Sequence, residues 1–340
     1  MKRTLTTVLP LLAIVAAVAL VFFGNVDNDR LVQLLNVSYD PTRELFQDLN
    51  QEFASKYERD TGQKLTIKQS HGGSSRQAEA VVDGLEADVV SLALPSDIDL
   101  LRKQGLIRNG WTERLPNHSQ PYTSMIVFVV RKGNPKAIKD WPDLVRPDVS
   151  VITPNPKTSG NGKLSLLAAW GSIIFRGGTE EQARDFLRRL YQNVPVLGKG
   201  ARDSTTTFTQ EKIGDVHLTW ENEARFEIQD LQGELEIVYP PVTIRAEPSV
   251  AWVDKNVERR KTERLAKAYL EFLFSRPAQE TMARYGYRPI DPDVLREYAD
   301  RLPAVQLFSV TRIAKDWDDA QQKFFADNGV FDLIYSPRAK

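Results

Sequence analysis

The 340-residue chain contains no cysteine. That excludes disulfides, thiol nucleophiles, iron–sulfur clusters, cysteine zinc sites and a lipid-modified N-terminal cysteine. Histidine is nearly as scarce. His71, His118 and His217 are the only three, and no two are close in sequence, so a histidine-rich metal site is not expected. Charge of one sign is not in excess either, because 45 Lys+Arg balance 45 Asp+Glu. Nucleic-acid binders carry a basic surplus, so no nucleic-acid partner is expected. Nucleotide and hydrolase signatures are missing too. No G-x-G-x-x-G follows a strand and no G-x-S-x-G elbow occurs. Gly160-Asn161-Gly162-Lys163 lacks the glycine spacing and the Ser/Thr of a phosphate loop. Repeats, low-complexity tracts and Gly/Ser-rich or charged linkers are all absent.

What remains is an ordinary globular composition, 41% hydrophobic with zero net charge, which excludes disorder. The length suggests two domains at roughly 150 residues each, with ample core. The first 30 residues differ in kind. Lys2 and Arg3 precede an uncharged run from Thr4 to Val26. A basic segment before an apolar stretch reads as an export signal. Ala17-Val18-Ala19 has the A-x-A form but lies inside the run. The run is also long enough for a marginal spanning helix. Residues 1–30 are therefore expected to be either a cleaved signal peptide or an N-terminal anchor through residues 4–26.

Beyond Asn28 strands and helices alternate. Leu31–Ser38 reads as an apolar strand. Asp40-Pro41 reads as a helix start, with Asp40 as N-cap. Leu45, Phe46, Leu49, Phe53 and Tyr57 follow at helical spacing. Lys64–Gln69 alternates as a strand, and Ala87–Leu94 is strand-like and uncharged after Asp88. The same grammar continues through strand Ser150–Pro156, helices Leu164–Phe175 and Thr179–Asn193, and the strand DVHLTW ending at Trp220. After AEPSVAWVDK the pattern is helical to the end. Alternating elements imply βαβ units, mainly parallel sheets and an α/β fold.

Three turns share one design: Ser70–Ser75 (SHGGSS), Thr158–Lys163 (TSGNGK) and Gly198–Ser204 (GKGARDS). Each follows a strand, is rich in small residues and opens a helix. Such turns present unpaired backbone N–H groups at the positive end of a helix dipole. Glycine lets the backbone approach a ligand closely. The product is an anion site that needs no cationic side chain. Other readings of nearby residues are weaker. His71 and Ser74 lie three apart, but a hydrolase also needs an orienting acid. Glu221 and Glu223 read better as acids placed favourably at a helix N-terminus than as a glycosidase pair. Trp220 reads as a core residue, or as an indole N–H donor pointing into a cleft.

Taken together, LLNVSYDPTREL (34–45), QSHGGSS (69–75), LEADVVSLAL (85–94), PYTSMIVFVVRKGNPK (121–136), VITPNPKTSG (151–160), LAAWG (167–171), GAR (200–202), WENEA (220–224) and YRP (287–289) resemble the periplasmic sulfate-binding proteins of bacterial sulfate/thiosulfate ABC importers. The resemblance spans roughly Leu31 to Ile334. It implies a two-lobe type II periplasmic binding protein fold, each lobe a mainly parallel sheet flanked by helices. Lobe one would take residues 31–127 and 248–340, lobe two residues 128–247, with crossovers near Val127–Arg131 and Arg245–Pro248. In the family the anion sits dehydrated between the lobes, held by uncharged donors. Matched motif by motif, these donors would be the backbone N–H groups of Ser74, Gly160, Asn161 and Ala201, the Ser159 hydroxyl and the Trp220 indole N–H. Asp40, Lys163 and Arg202 would bond the backbone that holds the anion. No metal or cofactor is implied. The implied partners are sulfate or thiosulfate and a membrane permease, the implied location is the periplasm, and a monomer is expected. Another oxyanion such as molybdate, or a secreted hydrolase, are the alternatives.

Two positions depart from the family pattern. Asn161 stands in place of a glycine whose N–H faces the anion. If positive φ is needed there, Asn is the best tolerated substitute, yet its side chain would crowd the site. Lys163 replaces an arginine and loses the bidentate fork.

Overall fold

The computed structural model describes residues 32–335. The N-terminal segment 1–30, with the signal or anchor expected in it, lies outside these residues. Among the described residues no helix is long and apolar enough to cross a membrane. Twelve strands follow in chain order: β1 (Val32–Tyr39), β2 (Leu65–Gly72), β3 (Val89–Leu92), β4 (Tyr122–Arg131), β5 (Val151–Pro154), β6 (Leu197–Gly198), β7 (Val216–Trp220), β8 (Leu235–Val238), β9 (Val242–Ala246), β10 (Ser249–Trp252), β11 (Arg288–Pro289) and β12 (Gln306–Phe308).

They form two sheets, each the centre of a lobe. The first has the order β10-β3-β1-β2. Its β2, β1 and β3 are parallel, and β10 is antiparallel to β3. The second has the order β12-β9-β4-β7-β5-β6, with β8 and β11 also paired to β4. Strand β4 runs antiparallel to β7, β8, β9 and β11, whereas β5 is parallel to both β6 and β7 and β12 is parallel to β9. One long reversed strand thus sits inside a set that otherwise shares a direction.

Register places the turns. Ser38 pairs with His71 and Tyr39 with Gly72, so β1 and β2 end together. The helix Ser74–Val82 starts just beyond that edge. The helices Gly160–Phe175, Ala201–Thr209 and Glu221–Asp230 likewise start just beyond β5, β6 and β7. In α/β sheets ligands bind outside the carboxyl ends of strands, where such helices begin.

Burial follows the sequence pattern. Leu45, Phe46, Leu49 and Phe53 of the helix Arg43–Thr61 are buried against Leu34, Val89, Tyr269 and Phe272. Each such side chain contributes about 1.5–3 kcal/mol. The helix Gly160–Phe175 is buried continuously from Gly160 to Ser172, as an almost wholly apolar run requires. Gly171 in that helix touches the Phe308 ring, and a Cβ there would overlap it.

Some elements differ from the sequence reading. Asp40 is not an N-cap. It begins a 3-10 turn, Asp40–Thr42, whose preceding residue is Tyr39. Strand β4 is a continuous apolar run buried on both faces, which lacks the alternation that marks a half-buried strand. Two short strands, β11 and β12, interrupt the expected helical C-terminus. Strand pairing lies near the expected crossovers. Ser124 and Met125 already pair with β9, so the chain has entered the second sheet before Val127. Strand β12 pairs with β9, and Phe308, Phe324, Phe331 and Ile334 share a core with Val151 and Leu187. Residues 306–334 therefore pack mainly on the second sheet, with Asp318 also paired to Lys103 of the first lobe at 2.9 Å. Their aromatic side chains cover the outer face of the buried helix Gly160–Phe175, which would otherwise be exposed.

Candidate functional site

The three glycine turns meet at one point. A Cβ built on Gly73 would fall within 3.0 Å of the Thr158 carbonyl, one on Gly160 within 3.0 Å of the Ala93 Cβ, and one on Gly200 within 3.0 Å of an Asp40 carboxylate oxygen. The Thr158 hydroxyl donates to the Lys199 carbonyl at 2.8 Å. Each glycine thus faces an element from another part of the chain, and the lobes are closed on one another. None of the three has positive φ. Close approach, not backbone conformation, is what requires glycine here.

The first intrahelical bonds into these helices are Gln77 N to Gly73 O, Lys163 N to Ser159 O and Ser204 N to Gly200 O. The N–H groups of Ser74, Gly160, Asn161 and Ala201 precede them and have no helical acceptor. Ser159 caps its helix, its hydroxyl oxygen accepting from Gly162 N at 3.4 Å. That leaves its hydroxyl proton free to donate elsewhere. Trp220 ends β7 and is fully buried, and its indole N–H has no hydrogen-bond partner. A buried donor left unpaired costs about 1–3 kcal/mol. All six expected donor residues are buried, and the three turns that carry five of them come together.

Asn161 does not crowd this point. Its φ is not positive, and its side chain is turned to the Leu218 carbonyl (3.2 Å) and the Ser165 hydroxyl (3.3 Å). Only its backbone N–H is left at the helix start.

The expected roles of the charged residues need correction. Lys163 does not bond the turn's backbone. Its ammonium pairs with Asp97 at 3.1 Å, both side chains 4% exposed. Asp97 also accepts from the hydroxyls of Ser74 (2.5 Å) and Ser75 (3.0 Å). Lys163, on the second lobe, is thereby tied to the first through a carboxylate. A single ammonium suffices, because the two serines satisfy the acceptor capacity that a guanidinium fork would take. Arg202 likewise bonds carboxylates, Glu44 at 2.5 Å and Glu223 at 2.7 Å. Asp40 is mostly buried beside Gly200, and desolvation raises its pKa.

Burial, with Glu227 and Glu44 nearby, pushes the Glu223 carboxyl up to about 8 against the pull of Arg202. Upward is the direction because the desolvation of this fully buried carboxyl outweighs the pull of that one guanidinium. In the unfolded chain a glutamate loses its proton near its ordinary value of 4.5. Between these values unfolding releases a proton, so stability falls as pH rises. Stability, and with it the melting temperature, is expected to decline from about pH 5 to pH 8, by at most about 1.4 kcal/mol per pH unit for one proton. Glu223→Gln should flatten that decline. An unchanged slope in the variant would assign it to other groups.

The groups considered for hydrolysis are bonded elsewhere. His71 contacts the Ser38 hydroxyl (2.7 Å) and Gln69, and burial lowers its pKa to about 4, so it is neutral at pH 7. Glu221 accepts from Arg288 at 2.7 and 3.0 Å. Sequence reasoning did not find Asp97. Its place at the start of the helix Pro95–Lys103 is readable, but nothing local connects it to Ser74 or Lys163. A cavity of about 950 Å³ borders Glu44, Arg202 and Glu223, touching the third turn at Arg202 but none of the six expected donor residues.

Residues 37–288 match the bacterial extracellular solute-binding protein family. The chain belongs to that family. This solute-binding protein is 49% identical over 305 residues to a sulfate-binding protein of Salmonella typhimurium, covering 89% of this chain and 93% of the relative. It is 49% identical over 306 residues to a thiosulfate-binding protein of Pseudomonas aeruginosa, covering 89% and 92%. Among solved structures, the sulfate-binding protein of Mycobacterium tuberculosis superposes with a TM-score of 0.79 at 30% identity, covering 86% of this chain and 99% of that one. The two-lobe α/β fold is therefore that of the type II periplasmic binding proteins.

Proposed function

We propose that this solute-binding protein captures sulfate or thiosulfate between its lobes, outside the cytoplasm, and delivers it as a monomer to the permease of an ABC importer. The observation that carries this reading is the buried, unpartnered indole N–H of Trp220, whose ring packs on Tyr39, together with three helix N-termini that the lobe contacts bring to one point. A dehydrated dianion satisfies all of these donors at once, and the helix dipoles favour its charge. The ligands in the names of the relatives have the same chemistry, a small oxyanion without a proton at neutral pH. Residues 1–30 would direct export. No catalytic step is assigned, because His71, Glu221 and Glu223 all serve bonds within the fold.

Calorimetry with sulfate, thiosulfate and molybdate tests the ligand class. Sulfate or thiosulfate is expected to bind best, and molybdate binding best would redirect the assignment. Trp220→Phe tests the site. A hydrogen bond to a charged group is worth about 1.5–3 kcal/mol. The variant should fold normally and bind roughly ten- to a hundred-fold more weakly. Wild-type affinity in a folded variant would remove Trp220 from the site.

A further inference from the structure

Tyr39 ends β1 in the first lobe and Trp220 ends β7 in the second. Their ring centroids are 5.3 Å apart, tilted by 41°. Tyr39 is 2% exposed and belongs with Ala93 and Leu94 to the core cluster of the opposite lobe. It is held rigidly. Its carbonyl accepts from the Thr42 hydroxyl at 2.7 Å, and the Pro41 carbonyl two residues on accepts from the Tyr287 hydroxyl at 2.7 Å. Behind it, Tyr122 approaches its hydroxyl at 3.4 Å and packs edge-on to Tyr287 at 4.6 Å. An indole can rotate about its side-chain bonds, and only one orientation aims its N–H at a given point. Trp220 has no hydrogen bond of its own that selects an orientation. The ring that the other lobe lays against it is Tyr39.

We propose that Tyr39 is a positioning residue, whose ring packs across the lobe interface on Trp220 and aims the indole N–H at the bound oxyanion. The role belongs to the ring, because the hydroxyl makes only the long contact to Tyr122. This rests on the reading of Trp220 as a donor. The indole should also be more mobile in the open protein than in the closed one.

The test measures sulfate affinity of the full chain in wild type, Tyr39→Phe, Tyr39→Leu, Trp220→Phe and the Tyr39→Leu/Trp220→Phe double variant. Tyr39→Phe is expected to bind within about twofold of wild type, and Tyr39→Leu about tenfold more weakly, a loss of about 1.4 kcal/mol. In the Trp220→Phe background Tyr39→Leu should cost little more. The sulfate-induced change in tryptophan emission should persist in Tyr39→Phe and shrink in Tyr39→Leu. If Tyr39→Leu does not fold, Tyr39→Met takes its place in the cycle. Full additivity of the two losses, or wild-type affinity in the Leu or Met variant, would overturn the positioning role alone. Absence of sulfate binding in wild type would overturn the functional reading and this role with it.

Discussion

Gly160→Ala is expected to weaken sulfate binding about a hundred-fold without lowering the melting temperature of the ligand-free protein. The added methyl would fall within 3.0 Å of the Ala93 Cβ and at 3.3 Å from the Ser74 Cβ, both on the opposite lobe. Its own helix meets no obstacle, and alanine is a better helix former than glycine by up to about 1 kcal/mol. The open form therefore loses nothing. The closed form must stop short, because two Cβ atoms need more than 3.0 Å. A shortfall of this kind pulls the Ser74 N–H off the anion and admits water. One hydrogen bond to a charged group is worth about 1.5–3 kcal/mol, and a hundred-fold is about 2.7 kcal/mol. A ligand can shift an open–closed equilibrium only by its differential affinity for the two forms, so a penalty on the closed form appears directly in binding. Ala93→Gly removes the facing methyl. The double variant should recover most of the affinity, and a double variant as weak as Gly160→Ala would show that the effect does not arise between these two residues.

The same contact shows how far the sequence carries. The three turns were legible because strand, small residues and helix start are all local signals. Their convergence was not, since Gly73 meets Thr158 and Gly160 meets Ala93 only through the folding of two separate sheets. Asp97 is 66 residues from Lys163 and 23 from Ser74, and no spacing rule joins them. Trp220 carried an ambiguity between core and cleft that composition cannot resolve. It is fully buried, and its indole N–H has no hydrogen-bond partner. Strand β4, like β3, is an apolar run covered on both faces, a pattern without the period of two. Strand β11, two residues long, is too short to show any period. The motif resemblance supplied the donor set. The side-chain environments of Lys163, Arg202 and Asn161 came only from the structure.

Phosphate is expected to bind at least a hundred-fold more weakly than sulfate at pH 7. Sulfate is fully ionised there and only accepts hydrogen bonds, whereas phosphate keeps at least one proton and needs an acceptor for it. The proposed pocket offers donors: the N–H groups of Ser74, Gly160, Asn161 and Ala201, the Ser159 hydroxyl and the Trp220 indole. The hydroxyl oxygens nearby are committed. Ser74 Oγ donates to Asp97 and accepts from Ala93 N at 2.9 Å, and Ser159 Oγ accepts from Gly162 N. Asp97 already accepts from Ser74, Ser75 and Lys163. A phosphate hydroxyl would therefore meet a donor and leave two buried groups unpaired, at about 1–3 kcal/mol each. The low local dielectric sharpens that mismatch. The predicted discrimination corresponds to about 3 kcal/mol. Asp40 is a carboxylate acceptor beside the turns, lodged against Gly200 with its pKa raised by burial. If it faced the ligand it would accept the phosphate proton, and Asp40→Asn would then weaken phosphate selectively. In a donor-only pocket Asp40→Asn should leave the sulfate-to-phosphate ratio unchanged. Near-equal affinities for the two anions in wild type would show that an acceptor does reach the ligand, and would return Asp40 to the site as a direct contact.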